Sequence, residues 1–236
     1  MFVMTLNTWK CDGDYSERMS RLESEMSSLS PDLLLLQEVF AAPELGEDTA
    51  RRVADCLPAH ELVLAPARKK SRRFMEKDAM STSGLAVLVR GQVLNSTVVQ
   101  LPDTQADRDR IAQIVDIEMA GLRFQIVNLH LTHIRVDAEL RKIQLETIFN
   151  QLGPGPLVLG GDFNDLIDSP ALSYLATVVD RVLLSREPTH GDHVIDYLAW
   201  RDLGFAEFEA SVLFNGENSP LVSDHAAVAV RFKNGL

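Results

Sequence analysis

The sequence has few cysteines and no long apolar run. Cys11 and Cys56 are its two cysteines, and neither lies in a CxxC or Cys/His metal-binding spacing. Two cysteines are too few for a disulfide framework, so buried, reduced thiols are the preferred interpretation. No apolar run approaches the ~18 residues of a membrane span, and residues 1–9 lack the basic region and long apolar stretch of a secretion signal. We therefore expect a cytoplasmic protein without a transmembrane segment, and we identify no protein partner.

The chain also lacks an excess of positive charge. It carries 34 acidic against 23 basic residues, a formal net charge of −11. This balance disfavours a general nucleic-acid coat protein, whose affinity depends on neutralising phosphates. It is compatible with an enzyme that binds phosphate through a bound metal and a local basic patch. The 236 residues, 46% of them hydrophobic, predict one large α/β domain over residues 1–236, without a linker or repeat.

The stretch LVLGGDFND, residues 157–165, indicates a site at the end of a strand. Its apolar start is typical of a strand that is buried on both faces. Gly160 and Gly161 allow a sharp turn or a close approach. Asp162 and Asn164 then lie just past the strand, where α/β proteins place their sites. The alternative interpretation is an ordinary Asn/Asp turn.

Further polar residues lie at the ends of other predicted strands: Asn7, Glu38, His130, Asp196, Asp224 and His225. A buried carboxylate needs hydrogen bonds or an opposite charge, so several such strand ends together indicate a shared site. Oxygen-rich ligands favour a hard cation such as Mg²⁺. His130 is equally compatible with a structural role, and His133 is interpreted as structural only.

One short segment is strongly basic. Five of the six residues from 68 to 73 are basic, namely Arg68, Lys69, Lys70, Arg72 and Arg73. The pattern lacks apolar periodicity and predicts either a solvated loop or a mobile basic arm that holds a polyanionic substrate.

Helices are predicted after Asp14, over residues 49–57 and 138–152, and after Ser169. Asp14 precedes Glu17 by three residues, which is capping-box spacing, and Ser169-Pro170 has the chemistry of a helix start. Strands are predicted over residues 2–7, 33–36, 61–65, 84–90, 93–101, 112–119, 122–133, 194–200 and 226–232.

These motifs resemble the endonuclease/exonuclease/phosphatase superfamily, the DNase I-like metal-dependent phosphoesterases. The resemblance rests on LNTW, LLLLQEV, SGLAVL, NLHLTH, GGDFND, VIDYLAW and SDH, in the family's order over essentially the whole chain. It implies an α/β fold built as a four-layer sandwich, in which two mostly antiparallel sheets pack face to face with helices outside.

The resemblance also implies roles for individual residues. Glu38 would be the main carboxylate for Mg²⁺ (or Mn²⁺), with Asn7 beside it, and Asp224 would complete the metal or imidazole shell. His225 would contact the scissile phosphate, and Asp196 would orient the His225 ring. For the reaction itself, Asp162 would orient and help to deprotonate the attacking water, Asn164 would hold a phosphate oxygen, and His130 would contact the phosphate or protonate the leaving group.

Two departures narrow the function. Abasic-site endonucleases of this family carry an acid where Trp9 stands, although Asp12 and Asp14 lie nearby, so this function is disfavoured. Inositol-phosphate phosphatases carry a tryptophan just before the Gly-Asp pair, and its absence here disfavours a phosphoinositide substrate. The sequence therefore predicts a metal-dependent phosphodiesterase that uses an activated water in line, acting on a nucleic acid or nucleotide-like phosphodiester. The alternatives are a sphingomyelinase-like or phosphatase-like hydrolase of a phospholipid head group or other small phosphoester, and a non-catalytic, protein-binding member of the fold.

Overall fold

The fold is described from a computed structural model, over residues 1–134, 138–216 and 221–233. Four helices lie in these ranges: α1 (Tyr15–Leu29), α2 (Thr49–Asp55), α3 (Ala138–Phe149) and α4 (Pro170–Val178). Within the described ranges, no helix has the length and apolar character needed to cross a membrane.

The strands form two sheets. The first sheet has the order β12-β13-β1-β2-β5-β4, with β3 beside β2, and the second has the order β10-β11-β9-β8-β7-β6. The strands are β1 (Phe2–Asn7), β2 (Leu33–Ala42), β3 (Glu47–Asp48), β4 (Glu61–Phe74), β5 (Lys77–Val89), β6 (Gln92–Gln100), β7 (Ile111–Met119), β8 (Leu122–His130), β9 (Leu157–Asp162), β10 (Arg181–Val182), β11 (Asp196–Arg201), β12 (Phe208–Leu213) and β13 (Ala227–Phe232). Only the pairs β1–β2 and β8–β9 are parallel among the described strands.

Among the described residues, three large apolar cores lie between the four layers, in addition to a small cluster of Ala65, Leu85 and Ile111. The alternation of side chains along a strand explains why the all-leucine start of β2 is buried on both faces: Leu33 and Leu35 lie in the core between the sheets. Leu34 and Leu36 lie in the core beneath α1 and α2. A third core packs α3 and α4 against the outer face of the second sheet. The predicted fold class, two mostly antiparallel sheets with helices outside, is confirmed.

Both predicted helix starts are present. Asp14 accepts a hydrogen bond from the backbone N–H of Glu17 at 3.1 Å, and the Ser169 hydroxyl accepts one from the N–H of Leu172 at 3.2 Å. Such caps satisfy backbone donors that the first helical turn leaves free. Pro170 occupies the first turn of α4, where a missing N–H costs nothing.

The prediction of a loop at residues 68–73 is wrong. β4 continues from Glu61 to Phe74 and pairs with β5 through two stretches, interrupted by an irregularity between Pro66 and Lys69. The basic segment is therefore one strand of a two-stranded hairpin. Its turn lies at Met75 and Glu76, both with positive φ.

Other boundaries also differ from the sequence prediction. β2 extends to Ala42, and β12 and the short β3 and β10 were not predicted. Cys11 and Cys56 are free thiols, as predicted, but both are only partly buried and not fully buried.

Strand directions bring the motif residues to one edge of the sandwich. The parallel pair β8–β9 places His130 opposite Asp162. β11 runs antiparallel to β9 and begins where β9 ends, which places Asp196 opposite Asp162 as well. In the other sheet β13 runs antiparallel to β1, so the residues just before β13, including His225, lie beside the end of β1 at Asn7.

Candidate active site

Asp162 lies at the centre of the site and is 2% exposed. Its Oδ2 accepts a hydrogen bond from the Asn7 amide at 3.0 Å, and its Oδ1 accepts one from the backbone N–H of Asn164 at 2.9 Å. The Nε2 atoms of His130 and His225 lie 3.3 Å and 3.9 Å from Oδ2. Three other segments of the chain, carrying Asn7, His130 and His225, therefore converge on this carboxylate.

Two glycines permit this convergence. Gly161 has φ = +148°, and a Cβ there would lie 2.0 Å from the carbonyl oxygen of Leu129. A Cβ on Gly160 would lie 2.5 Å from a methyl carbon of Leu198. A side chain at either position would force the neighbouring strand or the facing leucine away. The glycines thus allow β9 to hold Asp162 deep in the sheet edge.

His225 and Asp196 form a buried pair. Nδ1 of His225 lies 2.9 Å from Oδ2 of Asp196. The backbone N–H of Asp196 is itself bound by the Thr189 hydroxyl, and the N–H of His225 donates to the Ser223 hydroxyl. The ring is therefore fixed in orientation, with Nε2 directed towards Asp162.

The pKa values of the three central groups are shifted in different directions. Burial opposes the charge on His225, but the Asp196 carboxylate beside it raises the pKa of His225 to about 9. Burial, reinforced by Asp196, raises the pKa of Asp162 to about 7. Burial, with smaller effects from Arg110 and Lys10, lowers the pKa of His130 well below its ordinary value. Near neutral pH the site therefore contains an imidazolium, a neutral imidazole and a carboxyl group close to its titration midpoint.

Glu38 lies at the rim of the site. It has φ = +55°, within the irregularity of β2 between Leu36 and Val39. Its carboxylate is 14% exposed and lies 2.6 Å from the ammonium group of Lys10. Lys10 thus supplies the positive charge that a bound cation would otherwise provide.

The donor set fits a hard divalent cation. Glu38 and Asp224 offer carboxylate oxygens at the same cleft. The Asn7 amide oxygen accepts a hydrogen bond from the Trp9 N–H at 3.0 Å and has a second lone pair for a cation. Burial and the neighbouring Asp196 carboxylate raise the pKa of Asp162, so a cation bound beside it would favour its ionised form. Oδ1 of Asp196 is buried and has no hydrogen-bond partner among the described residues. The ligand atoms of Asp162, Asp196 and His225 also lie within 4.8 Å of one another, a grouping different from the predicted metal set of Asn7, Glu38 and Asp224.

Apart from the buried Asp196, these groups line an open cleft of about 790 Å³. Arg68, Lys70 and Arg72 from β4 form one of its walls, whereas Lys69 and Arg73 do not line it. Arg72 is held by hydrogen bonds to the hydroxyls of Ser81 and Ser83 at 2.7 and 2.9 Å. The basic segment is thus divided between the cleft and the opposite face of the hairpin.

Sequence reasoning missed a second basic group on the cleft. Asp107 is buried and binds Arg110 through contacts of 2.9 and 3.0 Å, while Arg110 lies 2.8 Å from Nδ1 of His133. His133, interpreted from the sequence as structural, is 56% exposed and lines the cleft with Arg108 and Arg110. The alternating charges of residues 107–110 could have drawn attention to this loop. They do not show by themselves that the loop reaches the site.

The turn at residues 190–193 also reaches the cleft through His190 and His193. Among the acids near Trp9, Asp12 lines the cleft, whereas Asp14 is occupied as the cap of α1. Sequence spacing alone did not separate these two residues.

Solved structures with the same fold define the class of the molecule as DNase I-like. An endonuclease/exonuclease/phosphatase family protein from Leptotrichia buccalis superposes with a TM-score of 0.78 at 17% identity, covering 99% of both chains. The human Nocturnin catalytic domain with bound sulfate superposes with a TM-score of 0.74 at 19% identity, covering 98% of this chain and 93% of that one.

The sequence identifies the family. The endonuclease/exonuclease/phosphatase family matches residues 4–225, and the chain belongs to this family. Protein angel of Drosophila melanogaster is 25% identical over 178 residues, an alignment that covers 68% of this chain and 47% of that protein. The chain thus spans about half the length of this curated relative.

Proposed function

We propose that the protein is a divalent-metal-dependent phosphodiesterase that cleaves a nucleic acid or a nucleotide-like phosphodiester. The convergence of Asn7, His130, Asn164 and the Asp196–His225 pair on Asp162 carries this proposal. The arrangement places a proton acceptor and a charged hydrogen-bond donor side by side, as in-line hydrolysis of a phosphoester requires.

The side chains have complementary roles in this reaction. Asp162 accepts the proton of the attacking water, because a pKa of about 7 leaves a sizeable ionised fraction at neutral pH. Nε2–H of the His225 imidazolium stabilises the negative charge that develops on the phosphate oxygens. Asn164 binds a phosphate oxygen, and His130 assists at the phosphate or the leaving group. Glu38, Asn7 and Asp224 would hold Mg²⁺ or Mn²⁺, which neutralises phosphate charge and acts as a Lewis acid.

The charge distribution favours a polyanionic substrate. Arg68, Lys70 and Arg72 line the cleft on the hairpin side, and Arg108 and Arg110 line it from the loop before β7. In a chain with a net charge of −11, such a local concentration of positive charge attracts phosphates on either side of the bond that is cleaved. A small head-group diester carries only the phosphate that is cleaved and offers these residues no further phosphate to contact.

The first test compares hydrolysis of a chromogenic phosphodiester with that of the matching monoester, in Mg²⁺, Mn²⁺ or EDTA. We expect diester cleavage that EDTA abolishes, and a loss of at least about 100-fold in Asp162→Asn and His225→Ala. Asp192→Asn, an exposed carboxylate on the nearby turn, serves as the control. Preference for the monoester would assign a phosphatase instead. Wild-type rates in both site variants would refute the assigned site.

The second test uses the division of the basic segment. Arg68→Gln/Lys70→Gln removes two charges that line the cleft, and Lys69→Gln/Arg73→Gln removes two that do not. We expect only the first pair to weaken binding of single-stranded DNA or RNA and to lower the dependence of binding on salt, by about one counterion for each phosphate that the protein no longer neutralises. Equal effects of the two pairs would show that these residues act through net charge alone. An equally large effect on a small diester would contradict a polyanionic substrate.

A further inference from the structure

The turn between β10 and β11 is fixed by its backbone to the strands that carry the His–Asp pair. His190 and His193 exchange two backbone hydrogen bonds of 3.0 Å. The carbonyl of Thr189 accepts a bond of 2.7 Å from Ala226, next to His225, and the Thr189 hydroxyl binds the N–H groups of Ile195 and Asp196. The position of His190 is therefore determined by the same elements that position His225 and Asp196.

The side chain of His190 lies directly against the site. Its ring centroid is 4.4 Å from that of His225, with 33° between the planes. Its Nε2 is 3.6 Å from Oδ2 of Asp224, and the side chain is 44% exposed. Ligand atoms of His190, Asp224 and His225 lie within 4.8 Å of one another. Two imidazoles and one carboxylate thus lie together at the cleft, exposed to solvent at His190 and Asp224 and buried at His225.

One separation in this group is close to that in a zinc site. At Zn–N distances of about 2.0–2.1 Å, tetrahedral ligand atoms lie roughly 3.3–3.4 Å apart, which is close to the separation of 3.6 Å between His190 and Asp224. Nδ1 of His225 is already bound to Asp196. A carboxylate on the second ring nitrogen is the usual support of a metal-ligating histidine. Three protein ligands leave a fourth position for water.

We propose that His190, Asp224 and His225 form a Zn²⁺ site, and that Zn²⁺ bound there inhibits hydrolysis. Imidazole nitrogen favours Zn²⁺ over Mg²⁺, whereas the oxygen-rich group around Glu38 and Asn7 favours Mg²⁺. Zinc at this site would displace the Nε2 proton of His225 to solvent and would occupy the atom that the proposed reaction directs at the phosphate. The inhibitory half of this inference rests on the proposed function, while the binding half does not.

The binding half is tested without any substrate. Zn²⁺ is titrated by calorimetry into the wild type, His190→Asn and His193→Asn, each in excess Mg²⁺, and Co²⁺ is used as a visible-absorption probe. His193 lies on the same turn but outside the ligand group, so it is a matched control. We expect the wild type and His193→Asn to bind one equivalent alike. His190→Asn should bind at least about tenfold more weakly, since even an outer partner of a ligand is worth 10- to 100-fold. Equal affinity in all three proteins would overturn the site.

The inhibitory half compares, for each variant, the Mg²⁺-supported rate with and without Zn²⁺. We expect zinc to inhibit the wild type and His193→Asn and to have little effect on His190→Asn. Because Asp224 is also a proposed Mg²⁺ ligand, added Mg²⁺ should relieve this inhibition in part. Equal inhibition of His190→Asn and the wild type would show that zinc acts elsewhere, for example at Glu38, and would overturn the inhibitory role. If no substrate is hydrolysed, the proposed function fails, and the calorimetry still decides whether the zinc site exists.

Discussion

Replacing Asp196 with asparagine should convert His225 from an imidazolium into a neutral imidazole. The pKa of His225 is about 9 against an ordinary value of 6.5, although burial opposes the charge. The difference corresponds to about 3 kcal/mol of preferential stabilisation of the charged ring. Asparagine keeps the shape and a hydrogen-bond acceptor but removes the charge, so the pKa should fall to about 6.5 or lower. At pH 7.5 the protonated fraction would then drop from nearly all molecules to about one tenth.

The assay is an NMR titration of the ¹³C-labelled histidine rings in metal-free protein, beside pH profiles of kcat/KM in Mg²⁺. We expect the alkaline limb of the profile to move from about 9 towards 6.5 in Asp196→Asn, and the rate at pH 7.5 to fall about tenfold or more. Asp192→Asn should reproduce the wild type. A His225 ring that still titrates near 9 in Asp196→Asn would refute the assignment of its charge to this pair.

The same pair predicts how stability depends on pH. Because the folded-state pKa of His225 is raised, its contribution is fully present below about pH 6.5 and is lost as the pH rises through about 9. The side chain is only 8% exposed, so solvent screening is small. In EDTA the wild type should therefore lose about 3 kcal/mol more free energy of unfolding over this interval than Asp196→Asn does. Parallel curves from chemical denaturation would contradict this.

Two further predictions concern the backbone and the metal ligand. Gly161→Ala should lower the free energy of unfolding by about 3 kcal/mol or more, because its Cβ would meet the Leu129 carbonyl at 2.0 Å. Gly46→Ala, at φ = +74° with no atom within 4 Å of the added Cβ, should cost only about 1–2 kcal/mol. Equal losses in urea denaturation would show that the clash with the Leu129 carbonyl adds nothing. Lys10→Gln should strengthen Mg²⁺ binding, because Lys10 lies 2.6 Å from Glu38 and competes with the cation. Calorimetry that shows unchanged or weaker binding would exclude Glu38 as the main ligand.

Much of the site could be predicted because its residues lie at strand ends with distinctive local chemistry. The GGDFND segment identified Asp162 and Asn164, since two glycines followed by an acid and an amide break an apolar strand abruptly. The positions of α1 and α4 followed from Asp14 and Ser169, whose capping bonds involve residues only three positions away. Interactions of such short range are determined by neighbours in the chain.

Long-range pairing decided the rest. Local composition predicted a loop at residues 68–73, but the register with β5 makes it a strand. That register also determines which of its charges line the cleft. His133 was predicted at the end of a strand and interpreted as structural, and His190 was not predicted as a site residue. Only the packing of their loops brings both to the site. The pKa of Asp162 likewise depends on Asp196, which is 34 positions away in the chain and opposite it in the sheet.

The order of motifs along the chain was therefore sufficient to predict the fold class, because the residues at each strand end are neighbours in the sequence and can be recognised there. The state of charge of each site residue, the face of each basic side chain and the histidine pair at 4.4 Å arise only when distant segments meet. Electrostatic interactions and metal ligation depend on distances of a few ångströms between atoms, and tertiary packing alone sets these distances.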